Sequence, residues 1–197
     1  MIDLNFLAHI ALSGNNTEIT IGNFIADSIL PKERSLLSAE MQKGISLHHA
    51  IDKFTDSHRA FKNTVRLLQP SLRKYAPVAT DVFYDHFLAI NFQQYFPAQS
   101  LYQFSKTFYA SLEEHKNSLP GKGKDLATYI IQYDWLNMYE SLEGLHAILT
   151  QMSKRTRFES HLDSATEEMK KYYEEINNDF QCLFPELMEH CKNFMNN

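Results

Sequence analysis

The sequence predicts an all-α fold, a multi-helix bundle in a single domain over residues 1–197, and three observations predict it. Only three valines occur, at 65, 78 and 82, while the helix-favouring leucine, alanine, glutamate, lysine and methionine dominate. Six glycines and six prolines are too few for a turn-rich β-protein. Hydrophobic residues make up 44% of the chain, enough for a packed core rather than disorder.

Each element follows from local pattern. Residues 4–12 are apolar and helical in pattern and carry His9; Ser13-Gly14-Asn15-Asn16 is a turn. Thr17 opens a second apolar helix, through Asp27, that ends before Pro31. Gly22 in its middle costs up to about 1 kcal/mol relative to alanine, which a close helix crossing would justify. Ser38 is an N-cap for a helix carrying His48, Asp52 and Asp56. Ser57 is placed to cap the next helix, 59–69, which Pro70 stops. On it Arg59, Lys62 and Arg66 share one face, and Phe61, Val65 and Leu68 another. Pro77 starts a helix holding Asp81, Asp85 and His86 that runs to about Tyr95.

Residues 99–116 are amphipathic, with Leu101, Phe104, Phe108 and Leu112 inward. A loop at 119–123 leads to a helix over 125–133, a short one holding Trp135, and another from Ser141 to about Met152. The positive run Lys154-Arg155-Thr156-Arg157 suits that helix's C-terminus. Asp163-Ser164 cap a long last helix, which Pro185 is expected to kink.

Charge and cysteine usage narrow the function. The net charge of −5 gives no overall basic character, so no nucleic-acid partner is expected. The charge is uneven: residues 57–78 carry Arg59, Lys62, Arg66, Arg73 and Lys74 and no acid, whereas 159–197 carry nine acids against three lysines. The basic stretch suits an acidic partner. Cys182 and Cys191 form neither a C-x-x-C metal pattern nor a disulfide framework. No apolar segment approaches the roughly 18 residues of a membrane span, and no signal-like run opens the chain, so no membrane association and a cytoplasmic location are expected.

Chemistry concentrates where polar pairs interrupt apolar helices. His48 and Asp52 lie four residues apart, as do Asp52 and Asp56, so they stack on one helix face that begins with the apolar Met41 and Ile45. Asp81 and Asp85 share a face with Leu88 and Phe92; Asn23 and Asp27 repeat the pattern. Singly, each has a plain alternative: His9 is a core histidine, Asp56 a helix cap, and His49 and His58 lie at the surface. Together they need either three unrelated buried networks or one cation that several groups share. Imidazole with carboxylate suits Mn²⁺, Fe²⁺, Mg²⁺ or Zn²⁺. Such a site suits hydrolysis, with His86 or His48, whichever is not a ligand, as general acid or base.

In order along the chain stand Asn5-Phe6-Leu7-Ala8-His9, Gly22-Asn23-Phe24-Ile25-Ala26-Asp27, His48-x-x-Ile51-Asp52-x-x-Thr55-Asp56 and Asp81-Val82-Phe83-Tyr84-Asp85-His86-Phe87-Leu88. These four motifs, with Lys154-Arg155 and Phe184-Pro185-Glu186, resemble the acyl carrier protein phosphodiesterase family, a divergent relative of the HD-domain phosphohydrolases. The chain lacks the adjacent His-Asp pair of those enzymes, and Asp85-His86 has the reverse order. The resemblance implies an HD-like bundle that hydrolyses the phosphodiester between 4′-phosphopantetheine and a serine of holo-acyl carrier protein, with Mn²⁺ as the usual cation. By motif match it offers Asp27, His48, Asp52 and Asp85 as metal ligands and His86, Asp81 and Asn23 as catalytic groups. His9 would touch the substrate, and Arg59, Lys62, Arg66 and Arg155 the acidic carrier protein. Two alternatives remain: a metal-dependent hydrolase of a nucleotide or other small phosphodiester, and a non-catalytic helical interaction domain.

Overall fold

The computed structural model describes residues 6–196, and among them every regular element is a helix. In chain order these are α1 (Leu7–Ala11), α2 (Thr17–Ile25), α3 (Pro31–Arg34), α4 (Ala39–Ser57), α5 (Arg59–Leu72), α6 (Ala76–Ile90) and α7 (Phe92–Tyr95). There follow α8 (Leu101–His115), α9 (Gly121–Gln132), α10 (Trp135–Met138), α11 (Leu142–Arg155), α12 (Ala165–Lys171) and α13 (Tyr173–Asn196). The first residues of the helix expected at 4–12 lie outside the described residues.

Helix α6 is the centre. Every residue from Val82 to Ala89 is buried, all the way round the helix, because α1, α5, α11 and α13 pack against different faces of it. Phe83 and Phe87 are fully buried, each worth about 1.5–3 kcal/mol over an exposed ring. Helix α4 is the second axis: α2 crosses its N-terminal half, and α13 runs along it, with the Lys43 ammonium on the Met195 carbonyl and the Phe54 ring stacked on His190. On the far side, α8, α9 and α10 close around Trp135 and Leu136, both fully buried.

The α2–α4 crossing is tight. A Cβ on Gly22 would lie 2.1 Å from the Met41 carbonyl oxygen, and one on Gly44 2.1 Å from that of Ile19. This is the close approach that a mid-helix glycine anticipates. The Ser38 and Ser141 hydroxyls cap α4 and α11 by accepting from the Met41 and Gly144 amides.

Several boundaries differ from expectation. Ser57 is the last residue of α4, and the His58 ring caps α5 by accepting from the Ala60 amide. Helix α5 runs through Pro70 to Leu72, because the proline sits exposed in the last turn, where little helix remains for it to disrupt. The long helix expected through Tyr95 breaks at Asn91, and α9 starts at Gly121 rather than 125, with Pro120 before it. The C-terminal segment breaks at Tyr172, while exposed Pro185 lies inside α13 without ending it.

Candidate metal centre

One cleft gathers most of the polar residues that the sequence singles out. Its walls carry His9 from α1, Asp27 from the 3-10 turn Ala26–Ser28 after α2, His48, Asp52 and Asp56 from α4, and Asp81 and Asp85 from α6. The floor is apolar and comes from Ile51, Tyr84 and the buried face of α13.

The centre is built outward from Asn23. This side chain is fully buried, and its Nδ2 donates to the His9 carbonyl at 2.8 Å and to Ser13 Oγ at 2.9 Å. Those bonds fix the amide so that Oδ1 faces His9 Nδ1 at 3.0 Å and His48 Nδ1 at 3.1 Å. An amide oxygen only accepts, so both imidazoles carry their proton on Nδ1. Both Nε2 atoms then face the cleft as lone pairs. The rings stack with centroids 4.1 Å apart, so the two lone pairs lie side by side.

What they face is carboxylate. His9 Nε2 lies 3.3 Å from Asp52 Oδ1; His48 Nε2 lies 3.4 Å from Asp52 Oδ2 and 3.4 Å from Asp27 Oδ1. Each such contact needs positive charge between its two atoms, either a second ring proton on Nε2 or a shared metal cation. Ligand atoms bonded to one cation at about 2.0–2.2 Å stand roughly 3.0–3.5 Å apart, which matches these separations. His9, His48 and Asp52 can each offer one ligand atom within 4.8 Å of the others. The imidazoles are buried whereas the Asp27 and Asp52 side chains are 32% and 43% exposed, so the centre is open on its carboxylate side. Burial acts to raise the Asp52 carboxyl; when no metal is bound and the rings carry a second proton on Nε2, the His9 hydrogen bond and the charges of His9, His48 and His49 outweigh it and hold it below its ordinary value. Asp56, one turn on, is pushed up by burial and by the Asp52 charge, with Lys62 pulling the other way.

Asp85 has a different set of partners from Asp27, His48 and Asp52. Its two oxygens accept from the Leu7 and Ala8 amides, both at 2.9 Å, and the Tyr139 hydroxyl donates to it as well. It caps the free N-terminus of α1 and so sets where His9 points. Complete burial raises its carboxyl to about 7, against the lowering effect of those three donors. His86, one residue on and turned about 100°, does not line the cleft. Its Nδ1 donates to the Tyr139 carbonyl at 2.7 Å and its Nε2 meets the Tyr173 hydroxyl at 3.2 Å, which occupies both ring nitrogens away from the expected proton-transfer role.

The partner-facing residues also separate. Arg59, Lys62 and Arg66 are exposed along α5. Arg155 lies off the cleft, its guanidinium 4.9 Å from the centre of the Tyr129 ring. The sequence reads His9 as a core histidine or a substrate contact, and Ser13 only as part of a turn. The missing signal is that Asn23 bridges α1 and α4, which no periodicity reveals.

Fold and cleft together define an all-α protein with a candidate divalent-cation centre of imidazole and carboxylate. A family model described as acyl carrier protein phosphodiesterase matches residues 4–187, and the chain belongs to that family of enzymes. It is similar to the acyl carrier protein phosphodiesterase of Photorhabdus laumondii subsp. laumondii, at 28% identity over 190 residues and 96% of each chain. It is also similar to that of Yersinia enterocolitica, at 26% over 185 residues, 94% of this chain and 96% of the relative. No solved structure matches it.

Proposed function

We propose that the chain hydrolyses the phosphodiester joining 4′-phosphopantetheine to a serine of acyl carrier protein, with a divalent cation held by His9, His48, Asp52 and Asp27. The family supplies the substrate class. One observation carries the chemistry: Asn23 Oδ1 takes both Nδ1 protons, so two buried Nε2 lone pairs converge on Asp52.

The donor set fits a cation of intermediate hardness. Mg²⁺ prefers an all-oxygen shell, so two imidazoles with carboxylates suit Mn²⁺, Fe²⁺ or a catalytic Zn²⁺, and among these Mn²⁺, the cation that the family resemblance implies, is our assignment. Such a cation neutralises phosphoryl charge and acidifies a water. The protein's own groups do the rest. Asn23 orients the imidazoles, and Asp85 holds α1 and with it His9. Asp56 and Asp81 stand on the cleft wall, in position to accept the proton of the attacking water and to return one to the leaving oxygen. The water oxygen bonds to phosphorus as the phosphorus–serine oxygen bond breaks, and the serine oxygen takes up the proton. The products are apo carrier protein and 4′-phosphopantetheine.

The exposed face of Arg59, Lys62 and Arg66 follows the end of α4 that bears Asp56, and Lys62 acts electrostatically on Asp56. Lys62 beside Asp56 supports a basic surface near the cleft, on which an acidic carrier would dock.

The test is protein purified without chelator, assayed for metal, then incubated with holo carrier protein and Mn²⁺ and read by intact mass. The expected result is loss of the phosphopantetheine mass, abolished by chelation and restored by Mn²⁺. Unchanged carrier mass with every divalent ion tried overturns the proposal.

A further inference from the structure

Beside its charged wall the cleft has an apolar floor: Ile51 on α4, Tyr84 on α6, and Leu183, Phe184 and Leu187 on α13. Ile51 and Leu187 line the same cleft as Asp52 and His48, so this floor adjoins the candidate cation position. Two properties restrict what fits there. The side chains belong to the main core, with Tyr84 and Phe184 each in edge contact with further aromatic rings, so the floor is preformed and stiff. It is also small: Leu183 and Phe184 are each 1% exposed, and Ile51 and Leu187 each 3%. A long acyl chain or a flat base needs far more apolar surface than this. A compact branched alkyl group next to a phosphate fits.

Phosphopantetheine carries such a group. One methylene separates its phosphate ester oxygen from a quaternary carbon bearing two methyls. We infer that Ile51, Leu183, Phe184 and Leu187 form the subsite for these geminal methyls, so that the pantetheine branch of the diester lies toward α13 and the carrier serine faces away from it. This inference rests on the proposed reaction and adds to it the part of the substrate that the enzyme selects. Binding energy gained on a non-reacting branch holds the phosphorus in register with the cation.

The experiment compares two carrier proteins, one bearing phosphopantetheine and one bearing the analogue in which a methylene replaces the dimethyl carbon. With the unaltered enzyme, kcat/KM falls about tenfold to a hundredfold for the analogue, the usual effect of removing small alkyl groups from an apolar site. In Leu187→Thr, checked for folding by its thermal midpoint, the ratio between the two carriers shrinks toward unity. Equal kcat/KM for both carriers on the unaltered enzyme overturns the subsite while leaving the reaction standing, as does an unchanged ratio in folded Leu187→Thr. Failure to cleave either carrier, with a small phosphodiester still hydrolysed, overturns both the reaction and the subsite.

Discussion

Gly22 and Gly44 pack against each other's helix at the α2–α4 crossing, where neither has room for a Cβ. Asn23 follows the first, and His48 stands one turn beyond the second, 3.1 Å from the Asn23 oxygen. The depth of the crossing therefore sets the distance at which Asn23 reaches His48. Gly44→Ala gains up to about 1 kcal/mol of helix propensity, but its methyl would displace the Ile19 carbonyl. The expected net effect is a loss of about 1–3 kcal/mol or more in urea unfolding, together with weaker metal binding. Unchanged stability and affinity would show that the crossing does not control the centre.

Asn23 carries a sharper expectation. Asn23→Leu keeps the bulk and leaves both Nδ1 protons without an acceptor, so metal affinity falls about 10–100-fold, as for other groups that orient metal-binding histidines. Asn23→Asp keeps an oxygen for the imidazoles and loses the donor to the His9 carbonyl and Ser13, and should bind metal more tightly than the leucine variant. Calorimetric titration with Mn²⁺ measures the order, and equal affinity in all three proteins contradicts the orienting role.

Asp52 and Asp85 line the same cleft, but their partners differ, and substitution separates them. Asp52→Ala removes the carboxylate shared by both imidazoles, and should abolish metal binding and turnover in a folded protein. Asp85→Asn turns an amide NH₂ toward the Leu7 or Ala8 N–H, leaving a buried donor unpaired. It should cost about 1–3 kcal/mol of stability and yet keep the metal stoichiometry. A folded Asp85→Asn protein that binds no metal would make Asp85 a ligand, as the motif match offers.

What could be read in advance was what local chemistry specifies. Ser38 and Ser141 announce helix starts, Gly22 announces a crossing, and the spacing of His48 and Asp52 puts two donors on one face. What could not be read depends on packing between distant segments. Asp85 meets the amide of Leu7, 78 residues away, only because α1 abuts α6 end-on. His86 looks as available as Asp85 in sequence, but α6 is buried all round, so adjacent polar residues point into different environments. Pro70 and Pro185 resemble helix breakers, and both fall on exposed faces where a helix tolerates them.

The buried His86 gives stability a pH dependence of known sign. Burial lowers its pKa below the ordinary histidine value of 6.5, against the raising effect of its bond to the Tyr139 carbonyl. The neutral ring is therefore favoured when folded, and the unfolded chain binds the proton first. Its contribution is complete above 6.5 and is lost as pH falls below that, at no more than about 1.4 kcal/mol per pH unit. Asp85, raised to about 7, acts with the opposite sign over the same window, so the His86 share is read as a difference: in urea unfolding of metal-free protein at pH 7.5, 6 and 5, the unaltered protein should lose stability relative to His86→Gln as pH falls. An equal slope in both proteins would assign the decline to other groups.

The basic face of α5 is the last point at which the proposal is open to a direct test. Arg59 and Arg66 are exposed, so reversing both charges with Arg59→Glu and Arg66→Glu leaves the core untouched. If an acidic carrier docks there, kcat/KM for the carrier falls about tenfold or more at low salt, and the deficit narrows as salt screens the interaction. Hydrolysis of a small phosphodiester, which needs no docking, stays the same. A salt-independent loss, or an equal loss on both substrates, would mean that the carrier approaches from another side of the cleft.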